Sequence, residues 1–184
     1  MSKAQSLEEL YDGLSPDERQ EIDAMIAKDF QEAPWRPLID LGNPDKPTPQ
    51  QQAYDSKADI LFYGGAAGGG KTGLLIGLAL TAHHQSVIYR REVKQLNKIA
   101  EELIRFRGTR KGWNGQEKRL KMDGGREVMF GGMQHPGDEE SYQGMPFDLI
   151  AWDEINQFLE SQFRYLLTWN RTGAGADPNQ RCRI

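Results

Sequence analysis

The 184-residue sequence predicts an α/β fold: a mainly parallel sheet flanked by helices, with a small helical appendage at the N-terminus. Three observations predict it. Short apolar runs alternate with longer segments of helical period, the pattern of strands joined by crossover helices. The runs "DILFYGG", "SVIYR" and "FDLIAWDE" are nearly continuous in apolar character, which suits strands buried on both faces. A stretch dense in glycine, "GGAAGGGKTG" (64–73), separates the first run from a strongly apolar helix.

Taken in order, residues 1–33 read as an N-terminal helical region. In "SPDERQEIDAMIAKDF", Ser15, Pro16 and Glu18 make a capping-box start with proline at the first helical position. Ile22, Met25, Ile26 and Phe30 then fall on one helical face. Residues 34–49, "PWRPLIDLGNPDKPTP", hold five of the nine prolines and form a non-helical connector. Residues 50–184 are expected to form one core. "QQQAYDSKA" reads as a short helix and "DILFYGG" as a buried strand. "KTGLLIGLALTAHH" is apolar on nearly every side, so its helix is buried.

"SVIYR" is a second strand. "EVKQLNKIAEELIRF" places Val93, Leu96, Ala100 and Leu103 on one face of an amphipathic helix. "KRLKMDGGREVMFGG" is a hairpin turning at Asp123-Gly124-Gly125. "FDLIAWDE" is a strand ending in two acids, and "FLESQFRYLLTWN" is helical. "RTGAGADPNQRCRI" begins another strand and stops inside it, which predicts a fragment cut before its sheet is complete.

Composition narrows the function classes. No apolar run approaches the roughly 20 residues needed to span a bilayer, and "MSKAQSLEELYDGL" has no secretory apolar core. The one cysteine, Cys182, excludes an internal disulfide and fits a reducing cytosol. Net charge is −4 but unevenly spread: from Arg90 to Lys121 eleven Lys and Arg face four acids, leaving this segment at +7 and the remainder at −11. That asymmetry points to an anionic partner, against the plainer reading of a solvated helix face.

Gly65, Gly70, Lys71 and Thr72 satisfy G-x-x-x-x-G-K-[ST] between a strand and a helix, the phosphate-binding pattern of P-loop nucleoside triphosphatases. Glycines let the turn of Gly65, Ala66, Ala67, Gly68, Gly69 and Gly70 point its backbone N–H groups at phosphate oxygens. Lys71 then reaches the β- and γ-phosphates of ATP, the Thr72 hydroxyl ligates Mg²⁺, and the helix start adds its positive dipole end. Such a loop needs an acid on another strand. "LIAWDE" supplies Asp153 to hold the Mg²⁺ shell and Glu154 to polarise a water as general base. One of Gln50, Gln51 and Gln52 can read the adenine edge, Gln51 being the residue expected; a polar helix start capped by Thr48 explains the same residues. His83 and His84 are assigned to a helix end, and Trp35 to a buried anchor for the N-terminal helices.

From about Pro47 to Arg181 the chain resembles the ATPase half of the large terminase subunit of tailed bacteriophages. The likeness rests on Pro-Gln ahead of "ILFYGGAAGGGKT", then "VIYRREVKQL", the hairpin, and "SYQGMPFDLIAWDEINQF". It implies a RecA-like (ASCE) ATPase that hydrolyses ATP with Mg²⁺ and drives double-stranded DNA into a procapsid. It also implies a homo-oligomeric ring in the host cytoplasm, docked on the portal protein and served by a small terminase subunit, with no membrane role. The isolated fragment could be a monomer. Two departures stand out: relatives carry an arginine where this chain has Ala67, or where it has Gln143 before Gly144. Arg90, Arg91 and Arg126 are the candidates to replace it. The Thr-x-Asn-Pro coupling motif and the nuclease acids are not found, so the chain is expected to be a truncated ATPase domain. Two other readings stay open: another DNA-stimulated ATPase of helicase or recombinase type, and a nucleotide-dependent docking module with little turnover.

Overall fold

The computed structural model describes residues 11–32, 34–43, 45–66, 68–173, 177 and 179–184, without the side chains of 26–32. The chain divides into two compact units, Met1–Pro34 and Trp35–Ile184. In the first, helix α1 (Pro16–Glu32) opens on the expected capping box. Ser15 N–H and Oγ donate to Glu18 Oε2 at 2.8 and 2.7 Å, and Glu18 N–H returns a bond to Ser15 Oγ. These bonds hold the Glu18 carboxyl below its usual pKa. The apolar stripe is not a buried face where it is described: Ile22 is half-buried and Met25 is 65% exposed. Ile26 and Phe30 fall outside the described side chains.

The second unit is α/β. In chain order it contains α2 (Pro49–Asp55), α3 (Lys71–Thr81), β1 (Gln85–Arg90), α4 (Val93–Arg107), β2 (Trp113–Asn114), β3 (Arg119–Lys121), β4 (Glu127–Gly132), β5 (Leu149–Trp152) and α5 (Glu160–Leu167). The sheet order is β2-β3-β4-β1-β5. β1 lies parallel to both β4 and β5, while β3 pairs antiparallel with β4 and β2 with β3. Alternation explains why the central strands read as continuous apolar runs. Ile88, Val128, Phe130, Leu149 and Ala151 join the core under α3 and α4. Val87, Tyr89, Met129 and Ile150 join a second core on the opposite face with Leu166 of α5.

The expected first strand is corrected. Residues 59–65 form no named strand, and Ile60 and Phe62 are 46% and 70% exposed. Their backbone is paired on one side only: Ile184 N–H donates to Asp59 O and Leu61 N–H to Ile184 O, each at 2.8 Å, a parallel pairing of Ile60 with Ile184. Arg183 pairs in parallel with Leu149 on its other side. The last residues of the chain therefore lie between the segment ahead of the glycine loop and β5. With neighbours on one side only, this apolar run is an edge instead of a buried centre. Val93 is also corrected: it is 44% exposed, while Leu96, Ile99, Ala100 and Leu103 carry the buried face of α4.

Trp35 is buried in the core of this second unit, against Tyr54 at 5.6 Å between ring centroids and over Gly77 of α3. A Cβ at Gly77 would overlap the indole, so glycine is required there for close approach. The anchor expected for the N-terminal helices thus fixes the connector to the helix behind the glycine loop.

Candidate functional site

The glycine loop ends on α3, whose first residues are Lys71 and Thr72. Gly65, Gly68 and Gly70 hold φ of 140°, 82° and 72°, a region that side-chain-bearing residues rarely enter. Lys71 Nζ donates to the carbonyls of Gly65 and Ala66 at 2.8 and 2.7 Å, so the amine lies within the curl of the turn. Tyr63 braces it from outside through a 3.2 Å bond to Gly69 O. Ala67 lies outside the described residues.

β5 delivers the two acids. It ends at Trp152, and Asp153 and Glu154 follow at the same end of the sheet as the loop, because the run ahead of the loop pairs in parallel with Ile184 and β5 pairs in parallel with Arg183. Asp153 is 6% exposed. Its carboxylate accepts from Arg90 Nη1 at 2.8 Å, and Thr72 lines the same cleft. Burial pushes its pKa up; Arg90 pulls it back, the adjacent Glu154 raises it further, and Thr72 lowers it. Glu154 stands in the left-handed region, φ 60° and ψ 53°, at the head of the turn Ile155–Gln157. A non-glycine residue held there costs about 1–3 kcal/mol and is a recurrent feature of functional sites. The loop, Thr72, Arg90, Asp153 and Glu154 line a common cleft of about 670 Å³.

The structure thus brings together Gly65, Ala66, Gly68, Gly69, Gly70, Lys71, Thr72, Asp153 and Glu154. It treats the three glutamines differently. Gln51 Nε2 donates to Asp55 and Gln52 Nε2 to Pro47 O. Gln50 touches the loop: 4% exposed, it donates to Gly70 O at 2.8 Å and accepts from Leu38 N–H at 2.7 Å. With both ends of its amide on backbone, Gln50 ties the connector and the loop together.

The three arginine candidates also separate. Arg90 reaches both acids, with Nη2 on Glu154 Oε1 at 2.7 Å. Arg91 donates to Gln157 O at 2.9 Å. Arg126 bonds His83 O at the opposite end of the sheet, ahead of β4. Gly144, beside Gln143, lines a different cavity with Gln85 and Glu127 at that same far end.

Sequence reasoning missed a second polar cluster there. Asp148 is 2% exposed and accepts the N–H groups of His84 and Gln85 at 2.8 and 2.9 Å, capping the start of β1. Arg183 and Arg181 donate to the carbonyls of Ala53, Tyr54, Ser56 and Ala58, closing the C-terminal end of α2. His83 is buried with them, and burial together with the nearby arginines lowers its pKa to about 4. An aspartate just ahead of an apolar strand was the only local signal, and it is a common one.

Of the eleven basic residues from Arg90 to Lys121, five meet carboxylates: Arg90, Arg105, Arg110, Lys111 and Arg119. The side chains of Lys94, Lys98 and Lys121 make no hydrogen bond or ion pair among the described residues. No described helix is long and apolar enough to cross a membrane.

No protein-family profile matches the chain, and neither does any curated protein or solved structure.

Proposed function

We propose that the second unit is a Mg²⁺-dependent ATP hydrolase of the P-loop class, the motor domain of a viral DNA-packaging terminase. The observation that carries the reading is the meeting of Thr72 with the buried Asp153 carboxylate in one cleft at the foot of the glycine turn, with Glu154 beside them. These two oxygen donors come from residues 81 positions apart and suit a hard cation in chemistry and charge. When bound, magnesium would supply positive charge to offset that of the phosphates. The chain's own groups do the rest. The loop N–H groups and Lys71 hold the phosphates, Thr72 and Asp153 hold the cation, and Glu154 takes a proton from a water. As that water's oxygen bonds to the γ-phosphorus, the bond to the β–γ bridging oxygen breaks, leaving ADP and phosphate.

The terminase assignment, its double-stranded DNA substrate, and its portal and small-subunit partners rest on the sequence resemblance. A ring is in keeping with the position of Arg126: it belongs to the far end of the sheet, so as a transition-state arginine it would serve a neighbouring subunit. The isolated chain should therefore turn over ATP weakly, with a rate that climbs steeply with protein concentration.

The test is binding of a fluorescent ATP analogue with Mg²⁺ or with EDTA. Binding that requires Mg²⁺ and is lost in Lys71→Ala is the expected result. Binding that Lys71→Ala leaves intact would exclude the loop as the nucleotide site.

A further inference from the structure

Glu154 is gripped from both sides. Arg90 Nη2 donates to Oε1 at 2.7 Å and Gln157 Nε2 to Oε2 at 2.6 Å. The same guanidinium reaches Asp153, Nη1 to Oδ2, at 2.8 Å. One cation therefore spans two acids with separate tasks, one to hold a metal and the other to take a proton. Arg90 is the last residue of β1, and Arg91 fixes the Ile155–Gln157 turn through Gln157 O, so consecutive arginines set the position of Glu154. A guanidinium keeps its charge at every working pH. Arg90 leaves Asp153 when another cation displaces it.

We infer that Arg90 is a charge latch. It competes with a divalent cation for Asp153, and through the other arm of its fork it holds Glu154 against Gln157. Cation binding at Asp153 and release of the general base are then one linked event, which keeps the base out of use until the metal is in place. The inference rests on the reading of the loop as a Mg²⁺-nucleotide site and adds to it a positioning residue. Its direction follows from electrostatics. A monovalent cation within hydrogen-bond reach of a carboxylate opposes a divalent one at the same oxygen, and removing it should strengthen cation binding by about tenfold.

The test titrates Mg²⁺ at fixed fluorescent ATP analogue into wild type, Arg90→Gln and Arg90→Lys, with thermal melts to check folding. The half-saturating Mg²⁺ concentration should fall about tenfold in Arg90→Gln. Arg90→Lys, which keeps the charge but cannot span both acids, should fall between that variant and wild type. Binding in EDTA should be alike in all three. An unchanged or raised half-saturating concentration in a folded Arg90→Gln overturns the latch. If Arg90→Gln does not fold, Arg90→Lys decides alone: a lower value supports the latch and an equal one overturns it. A wild type that binds no nucleotide under either condition overturns the nucleotide-site reading itself, a result separate from failure of the latch.

Discussion

The two ends of the sheet each bury an aspartate near arginines, yet they are built for different work. At one end Asp148 spends both oxygens on the backbone N–H groups of His84 and Gln85. At the other, Asp153 is held by the side chain of Arg90, with Thr72 in the same cleft. Burial raises the pKa of both acids. Backbone partners cannot move without unpicking β1, so Asp148 is a fixed cap. A side-chain partner can turn away, so under the proposed function the Asp153 carboxylate exchanges Arg90 for a metal. Burial alone does not separate a structural acid from a chemical one; the freedom of its partners does.

Paired substitutions should widen that difference most. Glu154→Gln should reduce steady-state ATP turnover by about 10²–10⁴-fold, the range for a general base, while nucleotide binding persists. Asp148→Asn turns amide hydrogens toward N–H donors and should cost about 1–3 kcal/mol in denaturant melts. Its turnover per folded molecule should match wild type; a loss like that of Glu154→Gln would collapse the distinction between the two ends.

Acid should act first at the His83 end. His83 titrates near 4 in the fold against about 6.5 in the unfolded chain, so the unfolded state binds more protons between those values. The stability this gives is present above pH 6.5 and is lost as pH falls toward 4, on the order of 3 kcal/mol. Asp148 and Asp153 act in the opposite sense, because acids with raised pKa take up protons on folding and favour the fold as pH drops through their pKa. His83→Gln should flatten the pH dependence of melting between 6.5 and 4. A slope identical to wild type would show that His83 is not its source.

A smaller effect is expected at Gly77. Alanine there would push into the Trp35 ring and should destabilise by about 1–3 kcal/mol. Trp35→Phe, which trims the indole, should recover part of the loss in the double variant. Smallest is the salt dependence of any DNA binding. If only Lys94, Lys98 and Lys121 engage phosphates, the log–log slope should be about −3, and triple alanine substitution should abolish it. A much steeper slope would mean that the paired arginines also turn outward.

The sequence by itself determined the elements whose signal is local. The Ser15–Glu18 capping box, the Asp123–Gly125 hairpin, the amphipathic α4 and the short apolar strands follow from periodicity and turn chemistry, which act over a few residues. The glycine pattern and the Asp153–Glu154 pair could be read as candidates for the same reason: each motif is contiguous. The tertiary structure decided everything that depends on residues far apart in the chain. It put Ile184 beside Ile60 and left the 59–65 run at an edge, and it chose Gln50 among three adjacent glutamines to touch the loop. It sent Arg126 to one end of the sheet and Arg90 to the other, across both acids. Composition and spacing record what a residue can do chemically. Which partner it meets depends on strand order, and strand order is fixed by packing summed over the whole sheet.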